Sequence, residues 1–229
     1  MKRPLASALA IAGGGLLGLA ATRLRGGRKK STEDTALRRL TATFIVPAWI
    51  AAGFADYLWH RKTLIETTSG LEESVMHSLM MLEAAPPVLA GLFLEINAGA
   101  LAWMIALSMA HELTVLWDLA YTTPRRVIPA GEQITHTFLE SPPFLVTAAA
   151  IATHWPQFQA LTGRGGARPD YQIRLQSPAV PLPGVLAIFA AMILFGALPH
   201  ADELRRCVQA KLAGRTGVDT PPGLPELFS

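Results

Sequence analysis

The feature that most constrains this chain is a series of apolar runs close to the length of a membrane-crossing helix. The hydrocarbon core of a bilayer takes roughly 20 mostly apolar residues of α-helix to cross. Residues 5–22, 40–59, 75–94, 98–121 and 182–200 approach or reach that length, and 144–155 is a shorter sixth run. In lipid, backbone N–H and C=O groups must be satisfied within the protein, which for isolated runs of this length means helix. The sequence therefore predicts an all-α fold, a polytopic integral membrane helical bundle with five or six transmembrane helices.

The range of five to six depends on residues 5–22. Residues 5–22 are short and glycine-rich (Gly13, Gly14, Gly15), with Lys2 and Arg3 before them and Arg23, Arg25, Arg28, Lys29 and Lys30 after them. The segment reads as a membrane anchor or a signal-like sequence, and the basic flank resists export and favours the anchor. Residues 144–155 are too few to span alone. Joined to the polar segment before Pro142 and Pro143, residues 133–155 would rise about 34 Å at 1.5 Å per residue, a full span with a proline kink. Pro86 and Pro87 predict another kink, and Ser69 with Glu72 predicts a capping box that starts a helix at Gly70. Residues 163–183 read as a glycine- and proline-rich loop. The last helix is expected to stop at Pro199. The expected organisation is thus an N-terminal anchor or signal-like segment over 1–32, a helical membrane domain over 33–200 and a short soluble tail over 201–229.

Composition supports lipid as the solvent: 51% of residues are hydrophobic and 16% charged, against about a quarter charged in soluble domains. The net charge of +3 is diffuse, with no basic stripe interleaved with aromatics, so no nucleic-acid partner is expected. A bacterial inner (cytoplasmic) membrane facing anionic lipid fits this balance. Basic residues divide almost evenly between the two expected faces and do not set the orientation. The single cysteine, Cys207, excludes an internal disulfide and any cysteine-rich metal site. Metal chemistry, if present, has to use nitrogen and oxygen ligands.

Such ligands occur in a pattern. Asp56 and His60, Glu73 and His77, and Glu132 and His136 are each four residues apart, so each pair shares a helix face and can offer a carboxylate and an imidazole to one ion. His111 and Asp118, seven apart, form a fourth and longer pair. In sequence these pairs fall at the end of one helix, the start of the next, the end of the third and the start of the fourth. Antiparallel succession then puts all of them on one face of the bilayer. The opposite turn, 95–99, carries one carboxylate and no histidine. His200, next to the expected helix stop, is left outside the site.

Four histidines and four carboxylates suffice for a di-metal centre. Imidazole and carboxylate suit iron, with zinc or manganese as further candidates, and do not suit copper(I). The arrangement resembles di-iron carboxylate bundles in architecture, although those use Glu-x-x-His where this chain separates acid and histidine by four. The expected function is an integral membrane metalloprotein: a di-iron oxidoreductase acting on a lipid or other apolar substrate. The alternatives are a zinc-dependent membrane lipid hydrolase, and a non-enzymatic metal or proton carrier or accessory subunit. Arg61, Arg125 and Arg126 lie at the same level and are candidates to hold an anionic substrate group. Expected partners are membrane lipid, a redox partner and a second copy of the chain.

Overall fold

The computed structural model describes residues 32–177 and 179–217, and among these it is helical without strands. The expected first run, 5–22, lies outside the described residues. Helix α1 (Thr32–Leu40) continues through a wide π turn, Thr41–Ile45, into α2 (Val46–Lys62). There follow α3 (Leu71–Phe93), α4 (Ala98–Thr122), α5 (Ala130–Thr153) and the short α6 (Trp155–Leu161). Finally α7 (Leu182–Met192) passes through a second π turn, Ile193–Ala197, into α8 (Leu198–Leu212).

Four stretches are long and apolar enough to cross a membrane: Thr35–Lys62, Leu71–Phe93, Ala98–Thr122 and Leu182–Leu212. Helix α5 is as long, but Glu132, His136 and Glu140 lower its hydropathy and it is not one of the four. Pro142 and Pro143 do not break it; both are buried within one continuous helix. Helix α3 likewise runs unbroken through Pro86 and Pro87.

Two local expectations fail. The last helix does not stop at Pro199 but runs to Leu212. Pro199 follows directly on the π turn Ile193–Ala197, where the backbone ladder already departs from the α-helical pattern, so its missing N–H does not end the run. Ser69 does not cap α3, which starts at Leu71 after Gly70 at φ 79° without a side-chain cap. Instead the Ser69 carbonyl accepts the Tyr121 hydroxyl, and Glu72 pairs with Lys211 of α8. Where a side-chain cap does form, Asn97 Oδ1 accepts the Ala100 N–H at 3.0 Å to start α4.

Helix α3 is central, packing along α4, α5 and α8, while α2 packs on α5 and α8. The apolar core draws Val46 and Ile50 from α2, Val88 and Leu92 from α3, Leu101 and Met104 from α4, Val146 and Ala150 from α5, and Ile188 from α7. Those from α2 to α5 each lie six or more residues along their helix from the nearest acid or histidine of the pairs, about 9 Å or more at 1.5 Å per residue. One end of the bundle is therefore packed with apolar side chains and the other with ionisable ones. At the apolar end the loop after α6 lies across the α3–α4 turn: Gln176 N–H donates to the Phe93 carbonyl at 2.8 Å and Glu95 N–H to the Arg174 carbonyl at 2.9 Å.

Polarity is distributed opposite to that of a water-soluble fold. Glu73 and Glu132 are fully buried, while Phe44, Leu82, Leu113, Trp117, Ile134 and Phe138 face outward, each more than half exposed. An apolar surface of this extent around a polar interior is what a bilayer solvates and water does not.

Candidate metal centre

The structure gathers seven of the eight expected ligands, Asp56, His60, Glu73, His77, Asp118, Glu132 and His136, at one end of the bundle. They form two groups. In the first, His60 Nε2 lies 3.5 Å from Asp56 Oδ2 and 3.4 Å from Glu132 Oε1, and His136 Nε2 lies 3.0 Å from Asp56 Oδ1 and 3.9 Å from Glu132 Oε1. In the second, His77 Nε2 lies 3.7 Å from Glu73 Oε1 and 3.9 Å from Asp118 Oδ2.

These separations decide what the groups can do. An ion about 2.1 Å from each ligand atom holds neighbouring ligand atoms about 3.0 Å apart in octahedral and about 3.4 Å apart in tetrahedral geometry. The first group spans that range, and the second is slightly wider. Hydrogen bonding does not account for the first group. His60 Nε2, Asp56 Oδ1 and both Glu132 oxygens are buried with no hydrogen-bond partner among the described residues. Even the 3.0 Å approach of His136 to Asp56 Oδ1 and the 2.6 Å approach of Arg126 Nη2 to Glu132 Oε1 lack hydrogen-bond alignment. Buried polar atoms without partners are costly and call for an explanation.

The expected soluble tail supplies the residue that ties the two groups together. Glu203, in α8 and 2% exposed, places Oε2 2.7 Å from His60 Nδ1 and Oε1 3.3 Å from His77 Nδ1. At 2.7 Å the first contact is a hydrogen bond and too short for two ligand atoms sharing one ion. A carboxylate there accepts a hydrogen bond from each Nδ1–H, so that in the neutral ring each Nε2 has its lone pair toward the acids, the arrangement found behind metal-bound histidines. The two rings stack, centroids 4.8 Å apart and planes 11° apart. His200, one turn before Glu203, contacts Ser78 Oγ through Nε2 at 2.7 Å. The available sequence signal was the same acid–imidazole pairing at i, i+3, hidden by the surrounding charges Asp202, Arg205 and Arg206.

Arg126 is also not where the sequence put it. Rather than facing substrate, its guanidinium is buried, with Nη2 2.5 Å from Glu73 Oε1 and 2.6 Å from Glu132 Oε1. Burial works against its charge, but the two carboxylates outweigh that penalty and raise its pKa above the ordinary value. It links one acid of each group. Arg61 pairs with Asp202 at 3.3 Å, and Arg125 stacks on the Tyr121 ring at 3.8 Å, both at the exposed rim.

His111 is the expected ligand that joins neither group. It lies deeper along α4, buried, with both ring nitrogens unpartnered. It shares with Asp56, His77, Asp118 and His136 the wall of a cavity of about 170 Å³ whose other walls include Trp49, Ile50, Met80 and Met81. The candidate centre thus opens onto apolar space. Compared with family profiles, with curated proteins and with solved structures, the chain matches none.

Proposed function

We propose that this protein is a polytopic membrane metalloprotein with five described spans, α5 being the fifth, and a dinuclear centre. One ion is held by Asp56, His60, Glu132 and His136, the other by Glu73, His77 and Asp118. The observation that carries the reading is the convergence of buried donor atoms without an aligned hydrogen bond, His60 Nε2, Asp56 Oδ1 and the Glu132 oxygens, at separations suited to a single ion, with Arg126 as the ion-pair partner of Glu132. Charge supports it as well. Asp56, Glu73, Asp118, Glu132 and Glu203 face one guanidinium, Arg126. That leaves four negative charges, which protons on His60, His77 and His136, or two divalent cations in place of those protons, would offset. Leaving such charge buried and uncompensated would cost several kcal/mol per ion.

The donor set of imidazole and carboxylate suits iron, and the second group supplies only three ligands, leaving positions open toward the cavity. A di-iron pair bound there would supply oxygen-dependent oxidation of an apolar substrate that enters from the membrane. The residues' own part is to orient and exclude: Glu203 fixes both histidine tautomers, Arg126 holds Glu73 and Glu132 at fixed separation, and the apolar wall keeps water from the substrate. This makes a membrane oxidoreductase the favoured reading.

One observation favours a second reading, a zinc-dependent lipid hydrolase. Glu140 lines the same cavity but belongs to neither ligand group, which is where a general base for metal-bound water would stand. The metal content of protein purified in detergent without chelators separates the two. Two irons per chain without a Soret band support the oxidoreductase, and one or two zincs support the hydrolase. Protein free of bound metal under those conditions refutes both.

A further inference from the structure

The cavity beside the two ligand groups has a polar residue at its far end that neither group uses. His111 is 3% exposed and lines the cavity, and neither ring nitrogen has a hydrogen-bond partner among the described residues. The Met80 carbonyl borders one ring nitrogen as a weak, poorly aligned acceptor, which leaves the other nitrogen with no partner. An imidazole buried unpaired costs on the order of 1–3 kcal/mol, an expense that a bound ligand would remove. His111 lies seven residues from Asp118 on α4, about 10 Å along the helix, and the apolar wall of the cavity includes Met80, Ala84, Ala85 and Val115.

The chemistry of the wall narrows the ligand. No Lys or Arg lines the cavity, whereas Glu140 does, so a fatty-acid carboxylate finds no counterion at the His111 end. A third cation there has only one histidine to hold it. Neutral imidazole offers one donor and one acceptor on divergent nitrogens; with the N–H toward the Met80 carbonyl, the other nitrogen is left to accept a hydroxyl. A cavity of about 170 Å³ takes a ring or a short alkyl segment, as a cavity of roughly 150 Å³ takes benzene. We propose that the cavity binds a neutral apolar molecule carrying a hydroxyl group, and that His111 holds that hydroxyl. The proposal deepens the metal reading by naming the substrate class, and its own binding does not require the metal.

The test uses purified full-length protein in detergent with bromooctanol and bromooctane as probes, read by bromine quenching of Trp49, which lines the cavity. Quenching that disappears in Trp49→Phe shows that the probe occupies this cavity. His111→Leu is expected to weaken bromooctanol about 3–10-fold, the value of one hydrogen bond, and to leave bromooctane unchanged. His111→Gln, which keeps a donor and an acceptor, retains most of the alcohol affinity. Equal effects on both probes, no effect on either, or bromooctanoate binding as tightly as bromooctanol would overturn the proposal. Unsubstituted protein provides a test that needs no variant at this position: octanol must displace bromooctanol better than octane does at equal mole fraction in the detergent phase. Metal content measured on the same samples keeps the two readings apart. A metal-free protein that still discriminates the probes refutes the centre alone, and metal loss in His111→Leu returns His111 to the ligands and refutes this proposal.

Discussion

Replacing Glu203 by glutamine removes one charge and almost no volume, and if the proposed centre is correct the geometry predicts which of its two ions suffers. The carboxylate accepts from two imidazoles, His60 Nδ1 at 2.7 Å and His77 Nδ1 at 3.3 Å. A glutamine has one oxygen that accepts and one NH2 that only donates. The oxygen belongs with His60, where the contact is shorter and the ring 1% exposed. The NH2 then faces His77, which can accept it only by moving its proton from Nδ1 to Nε2. That tautomer has no lone pair to offer beside Glu73 and Asp118. Loss of such a hydrogen bond behind a metal ligand typically costs 10–100-fold in affinity, about 1.4–2.8 kcal/mol, and here it falls on the ion of the second group. The first ion, whose histidine keeps a neutral hydrogen bond in place of a charge-assisted one, should weaken by about 1 kcal/mol. Competition titration against a chromophoric chelator in detergent measures both steps, with a thermal melt to establish that the variant is folded. Two ions bound with unchanged affinity by folded Glu203→Gln would refute the assignment of Glu203 and the tautomer argument with it.

Asp56→Asn should weaken only the ion held with His60, Glu132 and His136, so elemental analysis of the purified variant is expected to show one ion per chain; loss of both or neither contradicts the division into two groups. Arg126→Ala leaves Glu73 and Glu132 without their shared cation, and removing one partner of a buried pair costs about 3–5 kcal/mol. Its melting temperature should fall sharply in chelator and recover in part when divalent metal is restored. Lys211→Ala removes a half-exposed partner of Glu72, and such surface pairs are worth about 0–1 kcal/mol, so its melt should be close to that of the parent. At Gly91 an added methyl would overlap Val146 Cγ1 where α3 meets α5, and overpacking of this kind costs about 1–3 kcal/mol. Gly91→Ala is therefore expected to lower the melting temperature without changing metal stoichiometry.

What the sequence alone determined was the class of solvent, the helices and the clustering of ionisable residues at one end. Apolar length is a one-dimensional property, and so is the spacing that puts Asp56 with His60, Glu73 with His77 and Glu132 with His136. Antiparallel succession of helices then carries these pairs to the same face without further information. Three matters were left to the tertiary structure. The charges of Asp202, Glu203, Arg205 and Arg206 resemble a solvated tail until α8 is seen packed on α2 and α3, because a buried network and a wet surface draw on the same residue types. Arg126 resembles a rim residue until Glu73 and Glu132 are found on either side of its guanidinium, since which buried acid a loop arginine reaches depends on how three elements are placed in space. His111 shares a helix face with Asp118 and so passed for its partner in metal binding, yet the two proposed ligand groups are assembled from four helices, with Glu203 of a fifth behind the histidines. Two turns of separation along α4, about 10 Å, place it in the cavity and outside both groups.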